Sequence, residues 1–152
     1  MINMFFVGLG GFVGASMRYL ISIYTSKIFT SKIPIGTLSV NILGALIIGI
    51  IMELTIKTSL ISPPIKLFLT TGLLGGLTTF STFSYETIEL IENKSFLLAI
   101  LNIGLNLFLS LGGVLLGKLI INWKRSLKII KASSIDFIEI SIKLIIICYW
   151  KL

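Results

Sequence analysis

The residues able to do chemistry in this chain are few, and nearly all of them are neutral. Amides and hydroxyls stand inside apolar segments. Asn41 follows Thr37 by one helical turn, Asn102, Asn106 and Ser110 recur at every fourth position, and threonines and serines crowd residues 70–87, TTGLLGGLTTFSTFSYET. Amides and hydroxyls can replace water around a solute without adding a fixed charge. The chain has no histidine, and Cys148 is its one cysteine. An internal disulfide, a His/Cys metal cluster, and Ser-His-Asp or Cys-His catalysis are therefore excluded, and the chain does not read as an enzyme.

The stretch 70–87 is the one around which the rest must be organised. Gly75-Gly76 followed at once by Thr78 and Thr79 is rare in a membrane helix unless the helix opens there. Glycine lowers the cost of leaving the helical ladder, and threonine hydroxyls can re-satisfy the freed backbone. Non-helical backbone at membrane depth survives only when buried in protein or lining a polar cavity. This stretch is the candidate working part of an ion or solute pathway.

The elements that must position it are membrane helices. Of 152 residues, 55% are hydrophobic and 12% charged, and the mean hydropathy is +1.06. Soluble domains carry about 25% charged residues, so we expect one small integral membrane domain over residues 1–121. The net charge of +7 does not point to nucleic acid. Its lysines flank the apolar segments, where cations meet anionic headgroups.

Four apolar segments follow in order, each near the roughly 20 residues that a bilayer requires. The first, from Met1, lacks the basic start and cleavage end of a signal peptide. Its pairs Gly10/Gly14 and Gly11/Ala15 could admit a close helix, or could be ordinary glycine content. Arg18 lies well inside it and either snorkels or faces a water-filled vestibule. Pro34 opens the second segment, which holds Thr37 and Asn41 and ends near Glu53, expected at the interface. Asn41 reads equally as interhelical glue or as a donor aimed at an anion.

The third segment starts at Ser62-Pro63-Pro64, a hydroxyl followed by proline, and runs from about Ile65 to Leu90. Beyond its expected break, Phe80 and Phe83 share a face, with Ser81, Thr82 and Ser84 interleaved. Glu86, Glu89 and Glu92 read as a solvated helix end. The fourth segment, Ser95 to Ile121, carries the Asn102–Asn106–Ser110 stripe along one side and the pair Gly113/Gly117. A stripe that continuous favours a hydrated or ion-lining track.

Residues 122–152 form a basic and then Ile-rich tail. Asp136, Glu139 and Lys143 fit one face of an interfacial helix, and the alternating isoleucines fit a strand nearly as well. Four spans put both termini on one side. Lys57, Lys66 and Lys118 then face that side, while Lys27, Lys32 and Lys94 face the other, almost no orienting bias. Such a subunit can insert both ways up and form an antiparallel pair.

The segments GGFVGASMRYL, PIGTLSVNILG and TGLLGGLTTFSTFSYE resemble, in order and spacing, the three signature segments of the small bacterial fluoride channels, the Fluc or CrcB family. The resemblance covers about residues 8–121. It implies an all-α membrane protein of four transmembrane helices per subunit, with the third broken near its middle. It also implies an antiparallel dual-topology homodimer, or a pairing with a paralogous subunit of opposite topology.

The function implied is passive, fluoride-selective export across the bacterial cell membrane, relieving fluoride toxicity. The resemblance carries a fluoride path onto Asn41, Phe80, Phe83 and Ser110, with Thr37, Asn106 and Thr82 beside them and Arg18 in the vestibule. It carries a structural sodium ion onto the backbone carbonyls of Gly75 and Thr78. Asn102, Asn106 and Val114 depart from the family's usual residues. Two other readings are a proton-coupled small multidrug exporter, which needs a membrane-embedded carboxylate, and an assembly subunit without transport of its own.

Overall fold

The computed structural model describes residues 1–58 and 60–123. The tail reading for residues 122–152 lies outside them except at Asn122 and Trp123. The chain divides into two units, Met1–Lys118 and Leu119–Leu152, and the site falls wholly in the first. Every element among the described residues is helical, and no strand occurs there.

Helix α1 spans Ile2–Ile28 and α2 spans Ile35–Lys57. Each has a lysine, Lys27 or Lys57, in its last turn, where a cation meets the negative end of the helix dipole. Both stop where the next residue turns extended, Phe29 and Thr58, and that residue's N–H bonds back to the carbonyl of Thr25 or Leu54. Pro34 stands immediately before α2 as its N-cap.

A short helix α3, Pro63–Leu67, leads into a π-helical stretch, Phe68–Leu74, and a further turn, α4, Gly75–Leu77. Ser62 precedes α3 as expected, but its hydroxyl makes no capping bond. The proline at the second helical position removes one of the two N–H groups such a hydroxyl can accept from, and the Ser62 carbonyl takes the first helical bond, from the Lys66 N–H at 2.9 Å.

Thr78 (φ −79°, ψ 156°) and Thr79 (φ −152°, ψ 117°) are extended, and helix α5, Phe80–Glu92, begins after them. Lys94 closes α5 in the left-handed region at φ 55°, with Ser95 N–H bonded to the Leu90 carbonyl at 2.9 Å. Helix α6 is assigned over Phe96–Trp150, and its described part ends at Trp123. Among the described residues, three helices are long and apolar enough to cross a membrane: α1, α2 and Phe96–Trp123. The protein is thus a multi-pass helical membrane protein.

Small residues set the packing. A Cβ on Gly10 would run into the Phe68 carbonyl, and one on Gly14 into that of Leu73. A Cβ on Gly76 would lie 2.7 Å from the Gly11 carbonyl oxygen and 3.1 Å from Ala15 N. Both glycine-bearing pairs of α1 therefore lie against the π-helical stretch and α4, backbone on backbone. Gly113 and Gly117 play the same part between α6 and α2, facing Ile42, Leu46 and Ile50. Lipid tails are as apolar as leucine, so close packing of this kind replaces the hydrophobic drive that holds soluble helices together.

Val40, Ile51, Leu74 and Leu77 form the buried core, while Phe12, Tyr24, Phe108 and Leu115 point outward. Glu53 lies near the C-terminal end of α2, as expected. It is buried, with Lys57 Nζ at 2.9 Å and Lys118 Nζ at 4.0 Å. Two ammonium groups from two helices compensate the carboxylate, which is what makes its burial tolerable.

Candidate functional site

The site is built at the two extended residues. Leaving the helix at Thr78-Thr79 frees backbone groups that must find other partners, and α2 supplies them. Thr79 N–H donates to Asn41 Oδ1 at 2.9 Å, and Asn41 Nδ2 donates to the Thr79 carbonyl at 3.3 Å. The Asn41 side chain thus does for Thr79 what a neighbouring β-strand would do. Thr79 also caps α5, its Oγ1 accepting from Thr82 N–H at 3.2 Å, the usual bond of an N-cap hydroxyl.

These substitutions leave acceptors behind. Thr79 gives its N–H to Asn41 and Thr82 gives its N–H to Thr79 Oγ1. The carbonyls four residues earlier, at Gly75 and Thr78, are therefore not spent on those amides. Gly44 on α2 makes room for the break, since a Cβ there would collide with Thr78 Cγ2.

The α6 stripe meets the same place. Asn41 Nδ2 donates to Asn106 Oδ1 at 2.9 Å, and Asn106 Nδ2 donates to Asn102 Oδ1 and to its carbonyl, each at 3.0 Å. Asn102 Nδ2 donates to Thr87 Oγ1 at 2.9 Å. Asn102 and Asn106 are buried. Ser110, half-buried one turn on, has no hydrogen bond among the described residues.

One groove of about 850 Å³ collects Asn41, Gly75, Thr78, Phe80, Phe83, Asn106 and Ser110 in its wall. The Phe80 and Phe83 rings are 5.5 Å apart and tilted by 58°, so they share a face. Phe80 is 79% exposed. Seven of the residues singled out from sequence thus converge, from α2, the break and its flanks, and α6.

Three do not line the groove. Thr82 faces the cap, accepting from Thr79 Oγ1 at 3.0 Å. Arg18 is half-buried on α1 with no hydrogen bond or ion pair among the described residues. Thr37 donates to Glu86 Oε1 at 2.7 Å. That bond corrects the reading of Glu86 as part of a solvated helix end. Its carboxylate lies between α5 and α2, and Oε2 is buried with no hydrogen-bond partner among the described residues.

Sequence reasoning placed Thr79 at the opening but not as the cap of α5 or the partner of Asn41, and it passed over Thr87 and Gly44. The spacing of Thr79 and Thr82 ahead of a helical run carries an N-cap signal that marks Thr79. Nothing local marks Thr87 or Gly44, whose partners lie on other helices.

A helical membrane protein that gathers neutral donors and two phenylalanine rings beside two extended residues has the make-up of a channel or transporter. Residues 5–118 match the family model described as CrcB-like protein, Camphor Resistance (CrcB). The chain belongs to the CrcB-like family. A protein named fluoride-specific ion channel FluC from Clostridium novyi (strain NT) is 58% identical over 112 residues, 74% of this chain and 88% of its own. One of the same name from Clostridium perfringens (strain 13 / Type A) is 61% identical over 112 residues, with the same coverage. Another, from Shewanella woodyi (strain ATCC 51908 / MS32), is 50% identical over 118 residues, 78% of this chain and 94% of its own. These relatives are named as ion channels, not as enzymes.

Proposed function

We propose that this chain is a fluoride-selective channel of the bacterial cell membrane, releasing fluoride passively and so relieving its toxicity. The observation that carries the reading is the convergence of Asn41, Asn106, Ser110, Phe80 and Phe83 on one groove beside Thr78-Thr79, in a chain whose relatives are named fluoride-specific ion channels. Pro63–Leu77 and Phe80–Glu92 together act as one interrupted span, which makes four. Two subunits of opposite orientation form the working dimer, either two copies of this chain or this chain with a paralogous subunit.

Fluoride is small and holds its water tightly, so a path for it must offer replacement donors without a fixed cation that would trap it. Asn41 Nδ2 suits that need. Its 3.3 Å bond to the Thr79 carbonyl is long for an N–H···O bond, and an anion can take it over. The unpartnered Ser110 hydroxyl is a second donor. The positive edges of Phe80 and Phe83 face an anion favourably. Asn106, Thr37 and Thr82 support these groups, and Arg18 draws anions toward the mouth.

The carbonyls of Gly75 and Thr78 fit a sodium ion. They are hard oxygen donors left without the amides of Thr79 and Thr82, and carbonyls freed by a helix interruption are suited to such cations. A sodium ion held there is structural, a fixed positive charge that ties the interruption together.

The test is anion efflux from liposomes holding the purified protein, fluoride and chloride in parallel, with a potassium ionophore to release the voltage. Rapid loss of fluoride with chloride retained is the expected result. Retention of both, also after co-expression with any paralogous subunit, overturns the reading.

A further inference from the structure

The hydrogen bonds that link Asn41 to Thr87, itself a lining residue of the groove, all run in one sense, and that sense has a fixed origin. Thr87 Oγ1 gives its hydrogen to the Phe83 carbonyl at 2.7 Å. A hydroxyl has one hydrogen, so toward Asn102 it can only accept. Asn102 must therefore present Nδ2 to Thr87, at 2.9 Å, which leaves its Oδ1 facing Asn106. Asn106 meets two acceptors, Asn102 Oδ1 and the Asn102 carbonyl, each at 3.0 Å, and turns Nδ2 toward them. Only its Oδ1 then remains for Asn41. Asn41 answers with Nδ2 at 2.9 Å and keeps Oδ1 for Thr79 N–H.

We propose that Asn102 and Thr87 are positioning residues that set which way the Asn41 amide faces, and through it hold Thr79 extended. The proposal rests on the channel reading above. Asn102 is 0% exposed and stands behind Asn106, away from the groove wall, so it acts through Asn106 and not on the ion. An amide is nearly symmetric in shape but opposite in polarity at its two ends, so packing alone cannot choose its orientation. Hydrogen bonding has to choose it. Without the Asn102 acceptor, Asn106 can turn over and set its Nδ2 against Asn41 Nδ2. Asn41 can then turn as well, bringing a donor against Thr79 N–H and releasing the extended residue.

The experiment compares Thr87→Ser, Thr87→Val and Asn102→Leu with the wild type. Each protein is purified as its assembled form and checked by size exclusion. Fluoride efflux from liposomes is measured, together with the Asn41 side-chain amide resonance in ¹⁵N-asparagine-labelled protein, assigned by its loss in Asn41→Asp. Serine keeps the hydroxyl and loses the methyl, whereas valine keeps the shape and loses the hydroxyl.

The proposal expects Thr87→Ser within about threefold of wild-type efflux, and Thr87→Val and Asn102→Leu at least tenfold slower with the assembly intact. The Asn41 resonance shifts in the two slow variants only. A packing role reverses the order, with valine conducting and serine failing, and that result overturns the proposal. An unmoved Asn41 resonance in Thr87→Val and Asn102→Leu also overturns it. If Asn102→Leu does not assemble, the serine and valine pair decides. If the wild type passes no fluoride, the channel reading fails, while the Asn41 resonance still tests the orientation.

Discussion

Asn41 and Thr79 hold each other in both directions. The Thr79 N–H reaches Asn41 Oδ1 at 2.9 Å, and Asn41 Nδ2 reaches the Thr79 carbonyl at 3.3 Å. One side chain therefore satisfies both backbone groups of a residue that has left the helix. The interruption is held from outside, by α2, and not by its own sequence alone.

Asn41→Asp keeps an acceptor for Thr79 N–H but sets oxygen against the Thr79 carbonyl and against Asn106 Oδ1. Each lost donor leaves a buried acceptor unpaired, at about 1–3 kcal/mol. Fluoride efflux should fall at least tenfold, with the size-exclusion profile unchanged from that of the wild type. Wild-type efflux from a well-assembled Asn41→Asp protein would remove Asn41 from the path.

Gly44→Ala should act on the same place from behind. The added methyl collides with Thr78 Cγ2, and the extended pair must move. Thr78→Ser deletes that Cγ2 while keeping the hydroxyl that bonds the Leu74 carbonyl at 2.9 Å. The double variant should regain at least threefold of the efflux that Gly44→Ala loses. A double-mutant cycle on efflux rates is expected to show coupling of about 1 kcal/mol, within the usual range for touching residues; additive effects would deny the contact.

Phe80→Ile keeps an apolar side chain but removes the positive ring edge from the groove. Efflux of fluoride should drop severalfold or more, and assembly should survive, because the side chain is 79% exposed and carries little packing. Unchanged efflux would show that the ring edge does not meet the ion.

Gly14→Ala and Gly8→Ala separate packing from composition. A Cβ at position 14 strikes the backbone of Leu73, whereas one at position 8 meets nothing within 4 Å. Position 14 should lose yield and thermal stability of the purified protein; position 8 should lose neither. Equal behaviour of the two would mean that α1 does not lie against the π-helical stretch at this distance.

Much of the site was legible in the sequence for a simple reason. Amides and hydroxyls are costly in an apolar segment, so Asn41, Asn106 and the threonine run stand out against leucine and isoleucine. Glycine pairs four residues apart allowed close backbone contacts of α1 and α6 without deciding them, and the structure makes those contacts. Glu86 was misread because a carboxylate near a segment end is ordinarily solvated, and its Thr37 partner lies 49 positions away. Of Glu53's two lysines only Lys57 is a helical neighbour, so the approach of Lys118 on α6 had no local signal.

By itself the sequence determined the membrane class, the apolar segments, the place where the helix ladder ends and the neutral character of the donors. Those follow from hydropathy, from glycine's freedom and from short-range spacing. The tertiary structure alone decided whom each polar group faces: Asn41 with Thr79, Thr37 with Glu86, Asn102 with Thr87, and Thr78 against the bare face of Gly44. A hydrogen bond is directional and short, and its partner is chosen by which helices are packed together. No periodicity within a single segment carries that information.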